Sequence, residues 1–309
     1  MSGMIREWEQ DENAFQYEER DGKATLLQWK GSGAVAQVPG YAGNAEVAAI
    51  GRKAFLSNKR IQEVILPDTV RVIDDWAFAY CSRLSCIHLP RQGIVFGKGA
   101  FLQCEKLEQI CLERGGLPAL PEEDMECVGA LLAAAVHKLD DAWLLSPQEA
   151  GSAHWIEKWD MRLLKVLRTP DREGYQKTIL CGEEDIGSME NNLEYFLEQK
   201  RRSKVRLALL RLIYDKGLGA AVREELTEYL LAHTIGCPYE ETWRTVKEEY
   251  GNRKAYYDVL LDIGALNGEN LDAALCDMGT ELAEMKAYLL REKEARFGTG
   301  GFFDSLSLE

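Results

Sequence analysis

Histidine is scarce in this chain of 309 residues: His88, His137, His154 and His233 are the full set of 4. None stands at HExxH or another metal spacing, so the common zinc-hydrolase arrangement is excluded. The 8 cysteines are Cys81, Cys86, Cys104, Cys111, Cys127, Cys181, Cys237 and Cys276. No two of them form a CxxC pair, which removes the zinc-ribbon and thioredoxin-like readings. Scattered through a chain of this size, they read as free, mostly buried thiols in a reducing compartment. Long apolar runs are lacking too; ALLAAAVHKL is the nearest and is too short to span a membrane. The N-terminal MSGMIREWEQDENAF has no apolar centre of the signal-peptide kind. A cytoplasmic location is expected, or a secreted one if a leader has been removed. Basic residues are outnumbered, 37 against 51 acidic, for a net charge of −14. That balance disfavours nonspecific binding to nucleic acid or to an anionic membrane.

Phosphate and calcium motifs are equally thin. GKGAF and GTGG continue neither as GxxxxGK[ST] nor as GxGxxG. Asp74-Asp75, Asp140-Asp141 and Glu183-Glu184-Asp185 are sequence neighbours, and neighbours do not face one another on a helix or a strand. No EF-hand spacing occurs. No cofactor, metal or catalytic residue is therefore expected. What remains is an ordinary globular composition, 46% hydrophobic and 28% charged, long enough for two domains with a sizeable core.

What is present is a repeat. Ala54-Phe55, Ala77-Phe78 and Ala100-Phe101 recur at one interval, and other positions follow them in columns. Ile50, Ile73 and Phe96 form one column, and Asn58, Cys81 and Cys104 another. Ile61, Leu84 and Leu107 come next, then Val64, Ile87 and Ile110, then Leu66, Leu89 and Leu112. A fixed period in the twenties is the mark of a solenoid, in which stacked turns bury one another's apolar faces as ladders of like side chains. In CIHLP, Ile87 and Leu89 share one face, and Cys86 and His88 the other. Pro67 and Pro90 are expected to end their strands, because proline has no backbone donor.

The strings IGRKAFLSNKRIQEVILP, IDDWAFAYCSRLSCIHLP and FGKGAFLQCEKLEQICLE resemble BspA-type leucine-rich repeats. The lead-in from Asp21 to Phe55 resembles the entry to such arrays: a strand, a shorter degenerate turn, then the first full repeat. The resemblance covers residues 15 to 115. Asn58 departs from the usual Cys, Phe96 from Ile, and Glu113 from Pro, the last marking the end of the array. The resemblance implies that the Cys81–Cys104 column faces the solenoid core as packed thiols. So short a stack needs capping at both ends.

After Gly115-Gly116 the pattern changes to helical spacing. Past Pro118 and Pro121, Val128, Leu131, Leu132 and Ala135 recur at helical intervals, and further helices are expected around residues 154–168, 191–215, 220–234, 239–251, 253–265, 270–279 and 281–297. Thr169-Pro170-Asp171, Gly217, Gly236 and Gly264 are breaks, and Asn270 is a candidate N-cap. The segment from Tyr256 to Phe297 resembles the helix pairs of ankyrin-like arrays, without their T-P-L-H signature. The acidity sits mainly in this half. Lys200 to Arg206, KRRSKVR, reads as a solvated helix face, with a nucleic-acid contact as the alternative. The tail FGTGGFFDSLSLE either packs Phe302 or Phe303 into its own domain or docks in a partner's groove.

The expected fold is α+β: a leucine-rich-repeat solenoid over residues 1–116 with an N-terminal capping segment, then an all-α, ankyrin-like domain over residues 117–309. The candidate partner-binding residues are the outward strand positions Glu63, Ile65, Cys86, His88, Gln109 and Cys111, since solenoids bind through an exposed sheet face. Ile65, His88 and Cys111 would make a modestly apolar strip between polar neighbours. The competing expectation is that the helical domain or the N-terminal segment covers that strip. A Cys/His nucleophile pair between His88 and Cys111 is conceivable from the register, but it needs an oxyanion site and an orienting group. The expected function is a non-enzymatic protein-interaction module or scaffold that binds a protein partner through the strand face or the interdomain groove. The alternatives are an enzyme with a site in the interdomain cleft, or an adhesin-like surface protein.

Overall fold

A three-stranded antiparallel ribbon begins the chain. Strand β1 (Met4–Gln10) pairs with β2 (Asn13–Arg20), and β2 with β3 (Lys23–Trp29). Asp21 and Gly22 join β2 to β3 with φ of 53° and 72°. This double left-handed turn gives the twist that a tight hairpin needs, and an Asp-Gly pair supplies it at low strain. The computed structural model describes residues 4–113, 120–139, 143–175 and 192–298.

From β3 onward the chain coils. Strands β4 (Val35–Gln37), β5 (Tyr41–Ala42), β6 (Ala45–Ile50), β7 (Glu63–Ile65), β8 (Val72–Ile73), β9 (Cys86–Pro90), β10 (Val95–Phe96) and β11 (Gln109–Glu113) follow in order. They assemble into two sheets. The first runs β1-β2-β3-β6-β8-β10 with β5 on β6, and the second runs β11-β9-β7-β4. The coil is a β-solenoid of about four turns. Pro90 is the last residue of β9, and Pro67 lies just beyond β7.

The repeat columns are the ladders of this coil. Ile50 pairs with Ile73 and Ile73 with Phe96 in the first sheet. Val64, Ile87 and Ile110 align in the second, each fully buried. Phe55 and Phe78 stack with ring centroids 4.7 Å apart, and Phe78 and Phe101 with 5.4 Å. The ring stack continues past the repeat: Trp29 lies 5.2 Å from Phe55, Phe15 6.2 Å from Trp29, and Trp8 4.9 Å from Phe15. Each such pair contributes ~0.5–1.5 kcal/mol beyond its burial. The column of Cys81 and Cys104 is buried, and burial pushes the two thiols up to about 11 and about 12. Each thiol donates to a backbone carbonyl one turn earlier, Phe55 O and Phe78 O, at 3.1 Å. Asn58 fills the same column differently; its Oδ1 accepts from the backbone amides of Arg60 and Ile61 at 2.9 and 3.1 Å.

Helix α1 (Glu122–His137) closes the solenoid's last turn. Gln109 N donates back to Ser85 O, so the next residue, Ile110, turns its carbonyl toward the free edge of β11. Gly129 of α1 sits there, with a Cβ on it only 2.6 Å from Ile110 O. A helix thus covers the edge that would otherwise be open to further strand pairing. Helix α2 (Ala153–Arg168) packs on α1, where Trp159 Nε1 donates to Leu131 O at 2.9 Å. Compactness divides the chain into residues 1–162 and 163–309, a division that falls within α2. The reason is that α1 belongs to the solenoid's end.

The second unit is helical: α3 (Leu193–Ile213), α4 (Ala220–Leu231), α5 (Glu241–Glu249), α6 (Lys254–Asp262), α7 (Leu271–Asp277) and α8 (Ala283–Phe297). Asn192 caps α3, accepting from Glu194 N at 2.8 Å. Asn270 does stand before α7, but its side chain does not cap the helix. It accepts from Asn267 N and donates to Ala265 O, pinning the preceding loop instead. The run from Lys200 to Arg206 is not the solvated face its composition suggests. Arg201 and Lys204 are buried. Arg201 pairs with Glu241 at 2.5 Å, Lys204 with Asp171 at 2.6 Å, Arg202 with Glu248 at 2.7 Å and Arg206 with Glu249 at 2.6 Å. These cations hold the acidic unit together. No described helix is long and apolar enough to cross a membrane. The acidic clusters at residues 140–141 and 183–185, Cys181, Gly115-Gly116 and the tail with Phe302 and Phe303 lie outside the described residues.

Candidate functional site

The outer face of the second sheet carries all six positions singled out by the repeat. Alternation along β7, β9 and β11 sends Val64, Ile87 and Ile110 inward and their neighbours outward. Glu63, Cys86 and Gln109 stand in one row, and Ile65, His88 and Cys111 in the next. All six are half-buried. The N-terminal strands do not lie over them, because β1 to β3 extend the first sheet. Gln109 is the least available: its Nε2 donates to Glu126 O of α1 at 3.3 Å.

His88 is the centre of the face. One ring nitrogen, Nε2, lies 2.8 Å from Glu63 Oε1, and the other, Nδ1, lies 2.7 Å from Glu113 Oε1. Burial opposes charging the ring, but the hydrogen bond to Glu113, the neighbouring Cys111 and the bond to Glu63 prevail and raise its pKa. Glu113 entered the sequence reading only as the end of the array. Its signal was the alternation itself, two residues beyond Cys111 on the same face. With both ring nitrogens on carboxylates, His88 makes no bond to Cys111 of the kind a nucleophile and its base require.

Cys86 and Cys111 are diagonal neighbours with their sulfurs 3.5 Å apart, both free. The hydrogen bond from Cys86 lowers Cys111 to about 7, against the opposing effect of burial, with help from His88. Cys86 holds the proton, so its own pKa is raised. The proton is assigned this way because Cys111 is the thiol paired with His88 across the ladder. One ligand atom each from Cys86, His88 and Cys111 lies within 4.8 Å of the others, the one such cluster among the described residues. A search along the sequence for metal spacings does not see it, because its members come from adjacent turns.

A separate cleft of about 720 Å³ opens in the helical unit, lined by Lys247, Tyr250, Asn252, Arg253, Asp277 and Glu281 among others.

Residues 43–119 match the BspA type leucine rich repeat region, in 6 copies. Among solved structures, this chain is similar to the T. pallidum leucine rich repeat protein, at 28% identity and a TM-score of 0.30. That match covers 31% of this chain and 46% of the other, so this chain spans less than half of that protein. A leucine-rich repeat protein from Bacteroides capillosus is 27% identical, over 37% of this chain and 91% of its own, with a TM-score of 0.30. No curated protein matches the chain. Repeat regions of this type suggest a protein-interaction module and are generally non-enzymatic.

Proposed function

We propose that the protein is a non-enzymatic interaction module that binds a protein partner through the outer face of the second sheet. The observation that supports this most is the half-exposed row Ile65, His88 and Cys111, held on a rigid ladder between the carboxylates of Glu63 and Glu113. Ile65 offers an apolar contact and His88, between Glu63 and Glu113, a polar one, and interfaces combine the two. The strands fix its side chains before a partner arrives, which lowers the ordering cost of binding. The partner chemistry that fits is a protein segment offering an apolar side chain to Ile65 and a donor or cation to the two carboxylates. The free thiols support a reducing compartment for this function. The ankyrin-like reading of α6 to α8 would make the helical unit a second binding array.

The test is capture from the source organism's lysate, followed by titration with the captured protein in purified form. Wild type is compared with Ile65→Asp/His88→Asp and with Val95→Asp. Val95 is 67% exposed on the opposite sheet and controls for a new surface charge. Loss of two central contacts is expected to weaken binding by ~100-fold, with Val95→Asp unchanged. Equal affinity for all three proteins would refute the assignment of the face.

A further inference from the structure

We propose that Cys86, Cys111 and His88 form a binding site for a zinc-class divalent metal ion on the outer face of the repeat region. The argument is geometric. A tetrahedral ion with metal–sulfur bonds of about 2.3 Å holds its two sulfurs about 3.8 Å apart. Cys86 Sγ and Cys111 Sγ stand 3.5 Å apart without one. All three ligand atoms lie within 4.8 Å of one another, so a single ion reaches them with small side-chain rotations. Closing the sulfurs to a disulfide of about 2.0 Å would need an oxidant. A metal ion takes their separation nearly as it stands.

The surroundings match what a ligating histidine requires. A metal-bound imidazole is normally oriented by a carboxylate on its other nitrogen. Here Glu63 and Glu113 hold the two nitrogens, one each. An ion bound through one ring nitrogen displaces that nitrogen's carboxylate, and the other nitrogen has a carboxylate partner of its own. Two thiolates with an imidazole favour zinc over magnesium or calcium, which prefer oxygen. Strands β9 and β11 are paired along the whole of β11, so the ligands sit on rigid elements. All three ligands are half-exposed, which leaves an entry path.

The experiment needs no protein partner, so its failure is separate from failure of the interaction reading. The full chain, reduced and chelator-treated, is titrated with cobalt(II) chloride and with zinc chloride. One equivalent is expected, with the thiolate-to-cobalt charge-transfer band and the intense visible bands of a four-coordinate ion. Cys86→Ser and Cys111→Ser should each lose at least ~100-fold in affinity. Glu63→Gln or Glu113→Gln should lose ~10–100-fold, the usual effect of removing a group that orients a ligand. Cys276→Ser, an exposed thiol of the helical unit, should bind as wild type. A second measurement avoids substitutions: zinc should protect Cys86 and Cys111 of the wild type from iodoacetamide, as mapped by mass spectrometry. Absence of the charge-transfer band, a band that survives the Cys86→Ser/Cys111→Ser pair, or equal labelling with and without zinc would each overturn the site.

Discussion

Twice in each of the three full repeats a single residue takes the left-handed conformation. Lys53, Trp76 and Gly99 have φ of 61°, 54° and 61°, and Ser57, Tyr80 and Gln103 have 57°, 60° and 57°. An L-residue there costs ~1–2 kcal/mol. Glycine escapes that cost but adds ~0.4–1 kcal/mol of unfolded-state entropy. Ser57→Gly is therefore expected to be neutral or to gain up to ~1 kcal/mol. Ser57→Val, with its branched Cβ, should lose at least ~1–2 kcal/mol. Urea unfolding of the three proteins checks this, and a Val variant as stable as the Gly variant would contradict it. The columns themselves were legible, but this demand was not, since Gly99 is the lone glycine in either of them. The Cys81 and Cys104 column was likewise visible as a column. What it does, donating to the carbonyl of the previous turn, needs coordinates.

At the scale of elements, the closest approach is α1 against β11. A Cβ on Gly129 would meet Gln109 Nε2 at 2.1 Å and Ile110 O at 2.6 Å. Alanine is the better helix former by ~1 kcal/mol, but crowding a backbone carbonyl costs ~1–3 kcal/mol. Gly129→Ala should therefore lower the melting temperature, and a rise would contradict the packing described. In the helical unit, Asp277 at the end of α7 accepts from Lys247 Nζ and from the buried Trp243 Nε1, both at 2.7 Å. The bond from Lys247, then that from Trp243, holds its carboxyl below the usual 3.8. A group lowered on folding adds stability above its unfolded value and loses it as pH falls through the folded one. The gap in stability between wild type and Asp277→Asn should be constant near neutral pH and shrink below pH 3.8. A gap that does not change in acid would contradict the assignment. Helix existence was readable from spacing where one face is buried, as in α2, whereas α1 is buried all round over residues 127–135 and α3 over residues 207–212. Which loops and side chains tie one helix to another was not, as Asn270 shows.

For the molecule as a whole, the net charge of −14 conceals where the charges act. Arg201 and Glu241 are both buried, and the Arg201 guanidinium also lies 4.2 Å over the Tyr239 ring. Removing one partner strands the other without water, at ~3–5 kcal/mol. Arg201→Ala and Glu241→Ala should each show that loss in denaturant unfolding, while Arg201→Met/Glu241→Leu should recover much of it. A double variant as unstable as the single ones would count against a buried pair. The sequence offered KRRSKVR as a surface feature because a local window cannot see acids that lie far along the chain. The repeat face had the opposite fortune: a strict period converts sequence spacing into spatial neighbours, so all six outward residues were placed together in advance. The measurement that tests the central claim most directly is site-specific photo-crosslinking in the source cells. A benzophenone side chain is placed at Ile65 in one strain and at Val95 in another. A defined crosslinked protein from Ile65 and none from Val95 is the predicted result. The same product from both positions, or a product from Val95 alone, would contradict the claim that the second sheet's outer face is the binding surface.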